Sequence, residues 1–236
     1  MHVFLFSPPG DNNRVQLDEN ENHHAIKVLR CKVGEEVKLL DGKGGIYQAK
    51  FTEISSKSSI LEITSRSKQN ALPYKLHLAV APTKMIDRFE WFLEKATEIG
   101  VHEISPIITD RSERNVVKMS RMQKVVQAAI KQSMQAYFPI INEALPFKEF
   151  IKQRNAPNKF IAHCMDSPKQ SLIQSVDIHS ENIVLTGPEG DFTEKEVELA
   201  LKNNYLPVTL GESRLRAETA AVVVSAQINA ILQFKN

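Results

Sequence analysis

Near residue 72 the apolar residues of this chain change their spacing, and that switch constrains the fold more than any other feature. Ahead of it, short runs at residues 2–6, 14–17, 37–40, 46–54 and 59–64 are bounded by turn residues and read as strands. Asp41-Gly42-Lys43-Gly44-Gly45 is a hairpin signal, because Gly and Asp accept the left-handed backbone of tight turns. One helical piece over residues 22–29 interrupts the strands. Five short strands with polar turns predict a small β-barrel or curled sheet. Residues 65–73 are polar, end in proline and read as a linker, so the expected domains are 1–72 and 73–236.

Beyond that point strands alternate with helices. The run 76–81 is followed by a helix over 87–99 with Phe89, Phe92, Leu93, Ala96 and Ile99 on one face, and Gly100 stops it. A strand at 103–108, a helix at 121–136 and strands at 160–164 and 182–186 follow. Thr193 and Glu196 form a capping box that opens a helix to 203, after which come a strand at 207–210 and a closing helix at 217–234. This alternation predicts a mostly parallel sheet with helices on both faces, which binds ligands beyond the carboxyl ends of its strands.

Composition excludes several classes. With 42% hydrophobic and 25% charged residues the chain is an ordinary globular one. Thirty basic and 28 acidic residues leave a formal charge of +2, too little to argue for nucleic acid by itself. No apolar run is long enough for a bilayer, and the first six residues lack the basic start of a signal peptide. Cys31 and Cys164 stand far apart and outside any CxxC, a pattern that fits a reduced, cytoplasmic protein and predicts no metal.

Glycine is the informative count. Only nine occur in 236 residues, five of them (Gly10 among these) in the first 45, and Gly187, Gly190 and Gly211 follow apolar runs near the end. Two strand ends result: Ile183–Thr186 running into Gly187-Pro188-Glu189-Gly190, and Val208–Leu210 running into Gly211. Neither carries the GxGxxG of a dinucleotide site or the Gly-Lys-Ser/Thr of a phosphate loop. Ser213 lacks the second glycine of a nucleophile elbow. On the residues alone, both ends fit either ordinary αβ turns or a ligand site.

The two segments Leu185-Thr-Gly-Pro-Glu-Gly190 and Leu210-Gly211…Leu215-Arg216-Ala217-Glu218-Thr219-Ala220 resemble the ribosomal RNA small subunit methyltransferase E family of the SPOUT superfamily. Further matches are His24…Val28-Leu29-Arg30, Lys95-Ala-Thr-Glu-Ile-Gly-Val101, Ser112-Glu113-Arg114…Lys118 and Lys131-Gln132-Ser133, in family order over nearly the whole chain. The resemblance implies a PUA-like β-barrel followed by an α/β domain tied in a trefoil knot. It also implies a homodimer that uses S-adenosylmethionine to methylate N3 of a uridine in 16S rRNA of the small ribosomal subunit. By the same resemblance the cofactor is held by His163, Leu185, Thr186, Gly187, Pro188, Glu189, Gly190, Leu210, Gly211, Leu215 and Arg216.

The chemistry agrees with that expectation. S-adenosylmethionine brings its own electrophile, so the protein needs neither a metal nor a covalent nucleophile. Uracil N3 holds a proton at neutral pH, and a guanidinium beside the carbonyls stabilises the anion that develops as the proton leaves. Arg216 is the expected donor, and Glu218 is either the base or the group that orients Arg216. Residues 109–135 carry six basic side chains against two acidic ones, which reads as a phosphate strip or as a solvated face. The expected RNA contacts are His24, Lys27, Arg30, Lys84, Arg111, Arg114, Lys118, Arg121, Lys131 and Arg214.

The chain departs from the family pattern at three places. It has Asp191 where a second glycine is usual, Glu212-Ser213-Arg214 where relatives have proline then arginine, and Met134-Gln135 where Gly-Arg is common. Two other classes remain to be weighed: a non-catalytic RNA-binding factor and a small-molecule enzyme with a nucleotide cofactor. The intact glycine loops with Arg216 oppose the first, and the missing fingerprints oppose the second.

Overall fold

The computed structural model describes residues 1–8 and 12–235 of the chain, and Gly10 falls outside them. The fold divides into two compact units, one of Met1–Ala71 with Ile130–Phe138, the other of Leu72–Ala129 with Pro139–Asn236.

The first unit is a curled five-stranded sheet of β1 (Val3–Leu5), β2 (Arg14–Gln16), β3 (Glu36–Leu40), β4 (Gly45–Ile54) and β5 (Ser59–Lys68). The order is β1-β3-β4-β5-β2, with β1 parallel to β3 and the other pairs antiparallel. Alternate residues such as Phe4, Val37, Leu39, Phe51 and Leu61 point inward and form its core. Asp41 closes the β3–β4 turn by accepting the amides of Lys43 at 2.7 Å and Gly45 at 2.8 Å. The first four residues of the polar stretch read as a linker, 65–68, are in fact the end of β5, paired with β4 as far as Gly45↔Lys68, and only 69–73 connect the units. That end of β5 looks like a linker because Thr64–Lys68 are exposed on both faces.

Helix α1 (Glu19–His23) starts at Asp18, whose side chain accepts the Glu21 amide at 2.8 Å. It runs on as a π-helical segment, His24–Leu29, which Arg30 ends in the left-handed conformation at φ 55°. Residues 130–138 join this unit through backbone bonds: the Gly44 amide donates to Ala136 O at 2.9 Å and the Phe138 amide to Gly42 O at 3.1 Å. A side chain at Gly44 would meet the Tyr137 ring at 2.5 Å, so glycine is required there. The single domain expected over 73–236 therefore lends this segment to the N-terminal unit.

In the second unit the elements are β6 (Lys75–Val80), α2 (Ile86–Ile99), β7 (Glu103–Ile108), α3 (Met119–Ser133, its last turn belonging to the first unit), β8 (Ile140–Ile141), β9 (Leu145–Pro146), α4 (Phe147–Gln153) and β10 (Asn158–Ala162). Then come β11 (Gln170–Ser171), α5 (Leu172–Ser175), β12 (Glu181–Thr186), α6 (Glu194–Lys202), β13 (Leu206–Thr209) and α7 (Ala217–Lys235). The strand order is β11-β13-β10-β12-β6-β7-β8, with β9 on β7, and every pairing is parallel.

Parallel strands buried on both faces need apolar side chains at consecutive positions, which β6 and β12 supply. Ala79, Ala81, Ile183 and Leu185 join Phe147, Phe150, Val197 and Tyr205 in one core layer. The alternating Leu78, Val80 and Val184 are equally buried, and α7 packs on β6 and β12 as well as on α2. The last strand, β13, lies beyond β10, yet α7 returns to β12 and β6. The capping box of α6 is present in full, with Glu196 accepting the Thr193 amide at 2.8 Å.

Candidate active site

Three neighbouring strands, β10, β12 and β13, end side by side, and the loops after them enclose a cavity of about 960 Å³. Pockets for drug-sized ligands span roughly 300–1,000 Å³, so the space suits a nucleoside-sized molecule.

The loop after β12 is built by close approach. A Cβ at Gly187 would sit 3.2 Å from the Phe192 ring, and one at Gly190 would sit 3.4 Å from Arg111 Cβ. Asp191 adopts φ 61°, a left-handed conformation in which glycine or a short Asp or Asn is at ease. That explains why a glycine is usual there and why aspartate is accepted. The aspartate adds a tie that glycine lacks: its carboxylate accepts the amides of Cys164 and Phe192, each at 2.8 Å, joining the loops after β10 and β12. After β13, Gly211 lies at φ 140°, and Thr209 Oγ1 both accepts its amide at 3.2 Å and donates to its carbonyl at 2.8 Å. Gln227 of α7 holds the Leu210 carbonyl at 2.9 Å.

Buried polar atoms aimed at a ligand are the site's most telling feature. His163 is 8% exposed and lines the cavity, and neither ring nitrogen has a hydrogen-bond partner among the described residues. Burial pushes its pKa down, Lys169 adds to that and Asp191 partly opposes it, so the ring is neutral at pH 7. A neutral imidazole offers one donor and one acceptor. Thr186, 1% exposed, also lines the cavity and has an unpartnered Oγ1. Such groups are costly to bury unpaired and mark a place where something binds.

Of the residues expected to hold a cofactor, His163, Thr186, Gly187, Pro188, Glu189, Gly190, Leu210, Gly211, Leu215 and Arg216 all line this cavity. Leu185 does not; it is fully buried in the core beneath the loop. Arg216 is exposed at the cavity just ahead of α7. Glu218, in the first turn of α7, is 7% exposed and does not line the cavity. One of its oxygens is 3.9 Å from Arg88 Nε and the other has no partner among the described residues. Arg88 itself faces the cavity, although from sequence it looks like an ordinary charge on a helix.

The basic residues expected to meet RNA are sorted differently. Arg111 donates to the carbonyls of Gly190 at 2.8 Å and Phe192 at 3.3 Å, so it braces the loop after β12. Arg114 donates to Thr83 O at 3.2 Å and Lys84 O at 2.8 Å. Lys84 pairs with Glu113 at 2.8 Å, and its amide donates to Glu189 at 3.0 Å. Arg121 is bonded to Glu90, and Lys131 to Glu21 at 2.5 Å. Lys118, Lys27, Arg30 and Arg214 are exposed and have no side-chain bond among the described residues; Arg214 also lines the cavity. His24 is half-buried, and burial, Lys131 and the neighbouring histidines lower its pKa. Among the described residues no helix is long and apolar enough to cross a membrane.

Comparison with known proteins agrees with this geometry. Residues 70–229 match the RNA methyltransferase domain family and residues 17–64 the RNA methyltransferase PUA domain family. The chain is 32% identical to the ribosomal RNA small subunit methyltransferase E of Synechocystis, over 93% of this chain and 74% of that protein. A probable rRNA-methyltransferase from Porphyromonas gingivalis superposes with a TM-score of 0.89 at 32% identity, over the full length of both chains. The small subunit methyltransferase E of Neisseria gonorrhoeae, solved with bound S-adenosyl methionine, gives 0.87 at 27% identity, over 98% of this chain and 97% of that one.

Proposed function

The chain belongs to the ribosomal RNA small subunit methyltransferase E family, and from that premise we propose that it methylates N3 of a uridine in 16S rRNA. It is an S-adenosylmethionine-dependent rRNA methyltransferase with a PUA-like N-terminal domain. The observation that carries the reading is the cavity at three strand ends with the unpartnered His163 ring and Thr186 hydroxyl inside it. The residues present fit the cofactor. Thr186 to Gly190 and Leu210 to Leu215 offer backbone groups and apolar walls to a nucleoside, and His163 offers a neutral donor and acceptor. Leu185 supports the loop from beneath.

When bound, S-adenosylmethionine supplies an electrophilic methyl group on its sulfonium. The chain's own work is to orient the base, exclude water and manage one proton. Arg216, exposed at the cavity and without a side-chain bond among the described residues, donates to the uracil carbonyls and stabilises the charge that grows as N3 loses its proton. Glu218, two residues further on in the first turn of α7, is buried. Its place beside Arg88 favours a positioning role, with the N3 proton passing to water or to Glu218 itself. Of the expected RNA contacts, Lys27, Arg30, Lys118 and Arg214 are left free for phosphates. We further take the active form to be a cytoplasmic homodimer, for which the half-exposed Val222 and Val223 on α7 offer an apolar face.

The test is to incubate the protein with labelled S-adenosylmethionine and either unmodified small subunits or naked 16S rRNA, then identify the labelled nucleoside. The expected product is 3-methyluridine. Label at another base would overturn the N3 assignment, and no label together with no cofactor binding would favour a non-catalytic RNA-binding factor.

A further inference from the structure

We propose that His2, Cys31 and Glu35 of the N-terminal unit form a binding site for a divalent transition-metal ion, Zn²⁺ by the nature of its donors. One ligand atom from each, imidazole nitrogen, sulfur and carboxylate oxygen, lies within 4.8 Å of the other two. His2 Nε2 stands 3.5 Å from Glu35 Oε1, an ion-pair distance when the imidazole is protonated. It matches the edge of a tetrahedron around zinc, which Zn–N and Zn–O bonds of about 2.1 Å set at roughly 3.4 Å. The sulfur edges of such a site are about 3.6 Å, so with donors up to 4.8 Å apart closure shortens them by about 1.2 Å at most.

The three side chains stand on pinned backbone. The His2 carbonyl accepts the Lys38 amide at 2.9 Å, which fixes it against β3. Cys31 follows the left-handed Arg30, and its amide donates to Ala25 O at 2.9 Å. Glu35 sits in a tight turn whose amide donates to Lys32 O at 3.1 Å, while its second oxygen accepts the Lys32 amide at 3.0 Å. That last bond is the outer-shell contact that orients a ligating carboxylate. Mixed sulfur, nitrogen and oxygen donors select zinc or cobalt over magnesium or calcium, which take oxygen alone.

Cys31 is buried, and burial followed by the Glu35 charge keeps its thiol protonated at neutral pH. Binding therefore exchanges the thiol proton for the metal: the S–H bond breaks, the S–Zn bond forms and the proton leaves to solvent. Three protein ligands leave the fourth position to water. The ion would clasp the 31–35 turn to the start of β1. The proposed ion takes no part in methyl transfer.

The experiment uses the full chain stripped with a chelator and titrated with Co²⁺, followed by displacement with Zn²⁺. We expect one equivalent to give tetrahedral cobalt bands with a thiolate charge-transfer absorption. The variant C31S should lose that absorption, and H2A, whose side chain is half-exposed, should bind at least ten times more weakly while folding normally. C164S should bind as the wild type does. A wild type without the thiolate absorption, a C31S protein that keeps it, or an H2A protein of unchanged affinity would each overturn the proposal.

Discussion

The loops after β10, β12 and β13 leave polar groups unpartnered, whereas most cations between Thr109 and Gln135 are bonded to the protein itself. The His163 ring and Thr186 Oγ1 are buried and wait for a partner. Arg111, Arg114, Arg121 and Lys131 already have theirs, in backbone carbonyls or carboxylates. A binding site is thus marked less by the charge it carries than by bonds the fold declines to make. The basic stretch has two populations: Arg111, Arg114, Arg121 and Lys131, held by the protein itself, and Lys118 and Lys124, which are exposed.

Substitutions sharpen the contrast. R216A should lose at least about 100-fold in kcat, the scale of one donor to a developing anion, with little change in cofactor affinity. Single-turnover rates at saturating cofactor check it, and an unchanged rate would remove Arg216 from the chemistry.

K131A should cost about 2 kcal/mol at pH 7, because it strands the Glu21 carboxylate, 7% exposed. Burial raises the Glu21 pKa above its ordinary 4.5, and Lys131 pulls it partly back. A raised carboxyl favours folding only while protonated, so its contribution is complete below 4.5 and is lost as pH rises through the folded value. Removing Lys131 raises that value further. The deficit of K131A should therefore be largest at neutral pH and shrink toward pH 4.5, as denaturant midpoints across that range will show.

K118A together with K124A, a second lysine exposed on α3, should weaken RNA binding several-fold and lower the salt slope by about one for each phosphate no longer neutralised, while leaving S-adenosylmethionine affinity alone. The smallest effect belongs to R121A. Arg121 and Asp87 are exposed and Glu90 is only half-buried, so loss of the pairing should cost about 1 kcal/mol or less and leave the RNA salt slope unchanged.

Much of this was legible in the residues. Gly100, Gly187, Gly190 and Gly211 stand where the backbone turns or is approached closely, and glycine in a chain so poor in it marks such places. The alternation of strands and helices gave the parallel sheet, since burial on both faces leaves continuous apolar runs. What stayed hidden depends on partners distant in sequence. The polar far half of β5 is a strand only because β4 is long enough to pair with it. Helix α4, with Phe147, Phe150 and Ile151 buried, is too short for its period to show. Arg88 reads as a surface charge until Glu218 and the cavity stand beside it. Charge counting likewise could not separate Arg111 from Lys118, because it records the cation and not the carbonyl that holds it.

The most direct test is Arg111. S-adenosylmethionine binding should be measured by calorimetry for the wild type and R111A, alongside the salt dependence of RNA binding. If Arg111 braces the Gly190 and Phe192 carbonyls, R111A should bind the cofactor about ten times more weakly, roughly 1.4 kcal/mol, with its RNA salt slope intact. An R111A protein with wild-type cofactor affinity and a salt slope reduced by about one would contradict it and return this arginine to the RNA.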